Sequence, residues 1–281
     1  MTAVVWLNGQ LMPVEEATVG VTDHGLTVGD GVFETAKVIR GVPFALSRHL
    51  ARLHASAAAL GLPLPAEGYL REAISAVCAT VADVDLARLR LTVTAGPGPA
   101  GSARGEGPPT VWASATPTSP RTAPETAIVV PWRRNEHGAL TGVKTTSYAE
   151  NVVALAAARA AGVGEALLAN TAGELCEGTG TNVFCVLDGV AATPPLSSGC
   201  LGGVTRALVL AWCAGVVERP LSLADLARAE EVFLTSATRE VHAVATVDGR
   251  RPGGPDAPVP GPVTAAIAAA FTARAAEDPD P

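Results

Sequence analysis

Gly142-Val143-Lys144-Thr145-Thr146-Ser147-Tyr148 is the stretch on which the reading of this chain turns. The sequence holds two lysines, Lys144 and Lys37, against eighteen arginines. Arginine replaces lysine wherever a positive charge suffices, but its guanidinium stays protonated and cannot act as a nucleophile. A primary amine kept against that bias points to chemistry that needs an amine, above all Schiff-base formation with a carbonyl. A lysine just before a helix also reads as a solvated charge, so the rest of the chain has to decide.

The 281 residues make one large or two ordinary domains, at roughly 150 residues per domain. With 48% hydrophobic residues and only 4% aromatic, the interior must be filled by Ala, Val and Leu. A net charge of −7, with no basic run, argues against a nucleic-acid partner. Cys78, Cys176, Cys185, Cys200 and Cys213 are odd in number and contain no Cys-x-x-Cys, which fits reduced, buried thiols in a cytoplasm. His24, His49, His54, His137 and His242 show no metal-ligand spacing. Met1 to Gly9 reads as a strand and turn rather than a signal peptide, and no apolar run reaches the roughly 20 residues needed to span a bilayer.

Strands and helices alternate along the chain. Strands are expected at Val4–Leu7, Gly31–Ile39, Arg88–Thr94 and Thr110–Ala115, with helices following Ser47, a candidate N-cap, and over Tyr69–Val81. Residues 95–105 form a Gly/Pro loop, and 117–124 is the linker candidate between a small domain, 1–116, and a larger one, 125–281. Beyond it, strands are expected at 127–130, 165–169, 174–177, 182–187 and 231–235. Helices are expected at 147–161, 205–213, 223–228 and 263–276.

Three further segments bear on the amine. Glu177 opens Glu177-Gly178-Thr179-Gly180-Thr181-Asn182, a strand end flanked by glycines that let a ligand approach the backbone. Gly202-Gly203-Val204-Thr205-Arg206 opens a helix, where free amides and a hydroxyl make an anion cradle. Thr235-Ser236-Ala237-Thr238 is hydroxyl-rich at a strand exit, and Arg52 is a helix arginine that can supply fixed charge. Taken singly, these also read as an exposed acid, an N-cap, a turn and a solvated arginine. With Lys144 they make an amine, a carboxylate and an anion cradle, which is what pyridoxal phosphate asks of a protein.

The order of these motifs resembles the class IV (fold type IV) pyridoxal-phosphate enzymes: branched-chain aminotransferases, D-amino acid transaminases and 4-amino-4-deoxychorismate lyases. Similar stretches are Asp23-His24-Gly25, Gly29-Asp30-Gly31-Val32-Phe33-Glu34-Thr35, Arg48-His49-Leu50-Ala51-Arg52-Leu53, the Lys144 segment, Glu177 to Phe184, Gly203 to Arg206 and Phe233 to Ser236. The resemblance implies a two-domain α/β (α+β) fold like that of D-amino acid aminotransferase, with the cofactor between the domains, and a homodimer acting on a small amine. It implies that Lys144 carries the cofactor and moves the substrate proton, and that Glu177 pairs with the pyridine nitrogen. It further implies that Arg52, Val204, Thr205, Ser236 and Ala237 hold the phosphate, Ala237 by its amide alone, and that Tyr148 bonds the ring oxygen.

Gly29 to Thr35 and Phe233 to Val241 resemble the lyase group more than the branched-chain enzymes. The expectation is therefore elimination of pyruvate from aminodeoxychorismate to give 4-aminobenzoate. A class IV aminotransferase is the alternative, and an inactive binding protein on the same fold is a second. The lyase Arg-Gly-Tyr loop motif is absent, and Arg104 of the Gly/Pro loop is the candidate for a substrate carboxylate.

Overall fold

The computed structural model describes residues 3–281, so the first two residues of the N-terminal reading lie outside it. The chain forms two compact units. The first comprises Met1–Pro120, Val143–Tyr148 and Pro279–Pro281, and the second Arg121–Gly142 and Ala149–Asp278.

In the first unit, β1 (Val4–Leu7), β2 (Gln10–Pro13), β3 (Gly31–Ile39), β4 (Val42–Pro43), β5 (Ala87–Thr94) and β6 (Thr110–Pro117) make one sheet, ordered β2-β1-β6-β5-β3-β4. The short helix α1 (His24–Thr27) precedes β3, and α2 (Leu46–Leu60) and α3 (Glu67–Ala79) follow β4. Leu50, Leu53 and Ala57 recur at helical spacing and bury one face of α2 against Val32, Ala36 and Val38. Each buried leucine contributes roughly 1.5–3 kcal/mol. Gly61, in the left-handed region at φ 58°, ends the helix.

Strand periodicity then sorts β3. Val32, Ala36 and Val38 face α2, and Glu34 shares their side. Phe33 is left on the other face, where the lysine segment runs. Phe33 N–H donates to Lys144 O at 3.1 Å, and Thr146 N–H donates to Gly31 O at 2.8 Å. These bonds explain why 143–148 packs with the first unit although it follows the linker in sequence, a placement that a single cut at 117–124 did not anticipate. A second difference concerns α2. Its N-cap is Ala45 at φ 54°, not Ser47; Ser47 instead donates its amide and hydroxyl to Asp280, at 2.7 and 2.6 Å.

The second unit holds β7 (Glu125–Arg134), β8 (Glu165–Asn170), β9 (Leu175–Gly178), β10 (Asn182–Leu187), β11 (Val190–Thr193), β12 (Val217–Glu218), β13 (Glu231–Ser236) and β14 (Glu240–Val247). They form one sheet in the order β12-β11-β10-β13-β14-β7-β8-β9. Its helices are α4 (Ala149–Ala160), α5 (Val204–Trp212), α6 (Leu223–Arg228) and α7 (Pro262–Glu277). The core is aliphatic, built from Leu167, Leu175, Val183, Leu187, Leu221 and Leu234 with small alanines between them. All five cysteines are buried and free. Among the described residues no helix is long and apolar enough to cross a membrane.

Candidate active site

In the first unit, Lys144 sits in the irregular segment along the start of β3. Its amide donates to Ser56 Oγ of α2 at 3.1 Å, and its carbonyl accepts from Phe33. The backbone is thus held from two sides, which limits where the side chain can start. Lys144 Nζ lies 4.3 Å from the centroid of the Phe33 ring and 5.7 Å from that of Tyr148. The two rings meet edge to face at 5.1 Å. Arg90 of β5 stacks on the same Phe33 ring, its Cζ 3.3 Å from the centroid. Burial pulls the Arg90 guanidinium down to about 10, against weaker opposing effects of Tyr148 and Glu34.

Arg52 projects from α2 three residues after His49, and both meet Glu34. Arg52 Nε and Nη2 donate to the Glu34 carboxylate at 2.8 and 2.6 Å, and His49 Nδ1 lies 2.7 Å from Oε2. Burial alone pushes the Glu34 carboxyl up, but the Arg52 charge and the hydrogen bonds from Arg52 and His49 outweigh it and hold it at about 2. The folded value lies below the ordinary one of 4.5, so the stabilisation is full above pH 4.5 and disappears as the pH falls towards 2. That is on the order of 3 kcal/mol. Urea melts should therefore show wild type losing more stability between pH 4.5 and 2 than Glu34→Gln. Parallel pH profiles would reject the assignment.

The second unit gathers the other candidates. Glu177, in β9, is buried, with Oε1 3.1 Å from Arg134 Nε and Oε2 accepting the Leu201 amide at 3.0 Å. Leu201 O accepts from Asn182 Nδ2 at 2.8 Å. Asn182 opens β10 opposite Thr235 of β13. Gly203 lies so close to it that an added Cβ would stand 2.0 Å from Asn182 Oδ1. Through Leu201 and Asn182, Glu177 is therefore joined to the start of α5 and to the exit of β13. Val204 and Thr205 form the first turn of α5; Ser236 ends β13, and Ala237 follows in the turn.

Gly203→Ala is expected to displace Asn182 and cost about 1–3 kcal/mol through overpacking. The check is a thermal melt with and without cofactor, and unchanged midpoints would contradict it.

Arg104 is already engaged within the fold. Its Nε and Nη2 donate to Asp30 at 2.6 and 2.7 Å, and it also donates to the carbonyls of Gly61 and Leu60 at 2.5 and 2.9 Å. The Asp30 hydrogen bond pushes the guanidinium up. His24 Nε2, 3.0 Å from Pro99 O, holds the other limb of the same loop, and there is no room for a Cβ at Gly98 against that ring. The Asp23-His24-Gly25 motif therefore anchors the Gly/Pro loop.

Sequence reading overlooked Glu34, His49, Ser56, Arg90, Arg134 and Asn182. One signal was available: a lone acid among apolar residues in β3 needs a partner, and α2 presents a histidine and an arginine one turn apart.

The anion cradle fits a phosphorylated group on two observations. Gly203 gives α5 no side-chain cap, whereas Ser222 caps α6. Thr235 Oγ1 is buried without a hydrogen-bond partner among the described residues. With a lysine amine and a buried carboxylate on the same chain, fold and residues define a pyridoxal-phosphate enzyme of fold type IV. The chain belongs to the amino-transferase class IV family, whose profile matches residues 31–247 and whose cofactor is pyridoxal 5'-phosphate.

Among its relatives is a Methanocaldococcus jannaschii protein provisionally named a branched-chain-amino-acid aminotransferase, 39% identical over 88% of each chain. A D-alanine aminotransferase of Bacillus licheniformis is 33% identical, over 92% of this chain and 93% of its own. The branched-chain amino acid aminotransferase of Escherichia coli superposes with a TM-score of 0.87 at 30% identity, over 97% of this chain and 94% of that one.

Proposed function

We propose that this protein is an amino acid aminotransferase acting on a branched-chain amino acid or a D-amino acid. The observation that carries this reading is the 39% identity over 88% of both chains to the M. jannaschii relative. The D-alanine aminotransferase and the E. coli branched-chain enzyme support transfer of an amino group over elimination of pyruvate. The lyase expected from the Gly29–Thr35 and Phe233–Val241 stretches has no such support.

Lys144, Tyr148, Arg52, Glu177, Val204, Thr205, Ser236 and Ala237 are the residues proposed to hold pyridoxal phosphate. Bound there, the cofactor supplies an electron sink for the carbon beside the substrate nitrogen. Lys144 Nζ would supply the amine and would move the substrate proton. Phe33 and Tyr148 border that amine. Glu34 holds the Nε/Nη2 edge of Arg52, which would orient the remaining N–H groups of the guanidinium towards a phosphate. Glu177 would present its carboxylate to the ring nitrogen, with Arg134 Nε 3.1 Å from Oε1 behind it. Arg104 pairs with Asp30 and two carbonyls and so anchors the loop, and it stays the candidate for a substrate carboxylate.

The deciding experiment offers the cofactor-loaded protein single amino acids without a keto acid. Transfer predicts stoichiometric loss of the yellow colour with L-valine, L-leucine or D-alanine, and its return with the matching keto acid. Catalytic release of pyruvate and 4-aminobenzoate from aminodeoxychorismate, with no acceptor, would overturn it. We also infer a homodimer, supported by the exposed apolar residues Val19, Val21, Leu26 and Val28 of the first unit. A monomer in sedimentation at micromolar concentration would refute that.

A further inference from the structure

We propose that Glu165 and Arg239 form a buried pair that positions both cofactor-binding turns of the second unit. Glu165 opens β8 and is 0% exposed. Its carboxylate accepts the Thr179 amide at 3.1 Å, the Thr179 hydroxyl, the Thr181 hydroxyl at 3.3 Å and the Ala166 amide at 3.1 Å. Arg239 Nη1 completes the set at 2.9 Å and lies 3.5 Å from Glu125.

Apart from Ala166 of β8, these partners belong to turns that adjoin candidate cofactor residues. Thr179 and Thr181 make the turn directly after Glu177 and Gly178, closed by the Gly178 amide on Thr181 O at 2.8 Å. That turn fits tightly, because a Cβ on Gly178 would stand 2.2 Å from Thr181 Oγ1 and 3.2 Å from Glu165 Cδ. Arg239 lies in the turn directly after Ser236 and Ala237, where its own amide donates to Ser236 Oγ at 3.2 Å. One carboxylate is thus tied to the turn that follows Glu177 and to the turn that follows Ser236 and contains Ala237.

A buried ion pair is a poor device for stability alone, since apolar residues of like volume serve as well. Here every carboxylate contact ends on one of these two turns or on the strand that bears the acid. Removing the charge should leave the sheet and loosen both turns. Glu165 and Arg239 are positioning residues, not catalytic ones. The inference rests on the reading that Glu177 and Ser236–Ala237 hold pyridoxal phosphate.

The test titrates pyridoxal phosphate into the apo forms of wild type, Glu165→Gln, Arg239→Gln and the double variant. Cofactor absorbance reports binding, and thermal melts of the apo forms report folding. Each single substitution should weaken the Kd by at least 10-fold. The double variant should bind no worse than the weaker single, and Glu165→Asp should recover part of the loss. A Kd within twofold of wild type for either single, with or without a lowered melting point, overturns the proposal, as does an additive double variant. Should Glu165→Gln not fold, the less buried Arg239→Gln decides alone. Wild type that fails to bind pyridoxal phosphate would instead refute the cofactor reading itself.

Discussion

Lys144→Arg should lose about 10^4-fold of the turnover, the upper end of the scale on which a positioned proton-transfer group acts, while the protein stays folded. The substitution separates charge from chemistry. Arginine keeps the cation over the Phe33 ring, where Lys144 Nζ now lies 4.3 Å from the centroid, so packing and local electrostatics change little. It removes the amine that can attack a carbonyl and the base that can accept a proton near neutral pH.

The other lysine makes the result specific. Lys37 is 8% exposed and lies over the Phe44 ring at 5.0 Å, in β3, where it has no part in the site. Borohydride treatment of the cofactor-loaded protein should fix the cofactor mass on the peptide that contains Lys144. Label on the Lys37 peptide, or residual turnover in Lys144→Arg within tenfold of wild type, would remove Lys144 from its assigned role.

How far the sequence disclosed this arrangement depended on the kind of contact involved. Lys144 stood out because composition isolated it, and Glu177 and Gly203 because glycines frame them. Strands that run as continuous buried stretches, such as β3 and β10, read at their true bounds. β14 did not, for a physical reason. His242 and Val244 are its buried residues, and the register then shifts between Val244 and Thr246 so that Val247 comes next. A strand with an inward histidine, alanines between and a broken register shows no period of two.

The N-cap of α2 was misread for a related reason. Its acceptor is Asp280, 233 residues away, and no local pattern announces a cap supplied from that distance. The charged network was hidden in the same way. Glu34 with Arg52, Glu177 with Arg134 and Glu165 with Arg239 are ion pairs 18, 43 and 74 positions apart, so each half looks like an ordinary surface charge until the sheet is built.

Glu177→Gln should lower kcat about 10^2- to 10^3-fold, a loss of roughly 2.7–4 kcal/mol of electrostatic stabilisation, with a much smaller effect on cofactor affinity. The glutamine is nearly isosteric, and its amide oxygen can still accept the Leu201 amide that now reaches Oε2 at 3.0 Å. The local backbone, with Asn182 and Gly203 behind it, should therefore stand. What disappears is the negative charge. Without it a protonated ring nitrogen loses its partner and the electron sink weakens, which acts on the chemical step rather than on binding.

Arg134 sharpens the expectation. Its Nε is 3.1 Å from Glu177 Oε1, so in the variant a half-buried guanidinium faces a neutral amide and adds repulsion towards any nearby cation. Glu177→Gln should consequently be slower than Glu177→Asp, which keeps the charge at a shorter reach. Steady-state kinetics with cofactor titrations separate the two effects. If Glu177→Gln kept kcat within threefold of wild type, the carboxylate would be a structural anchor for Leu201 and the ring-nitrogen role would have to be withdrawn.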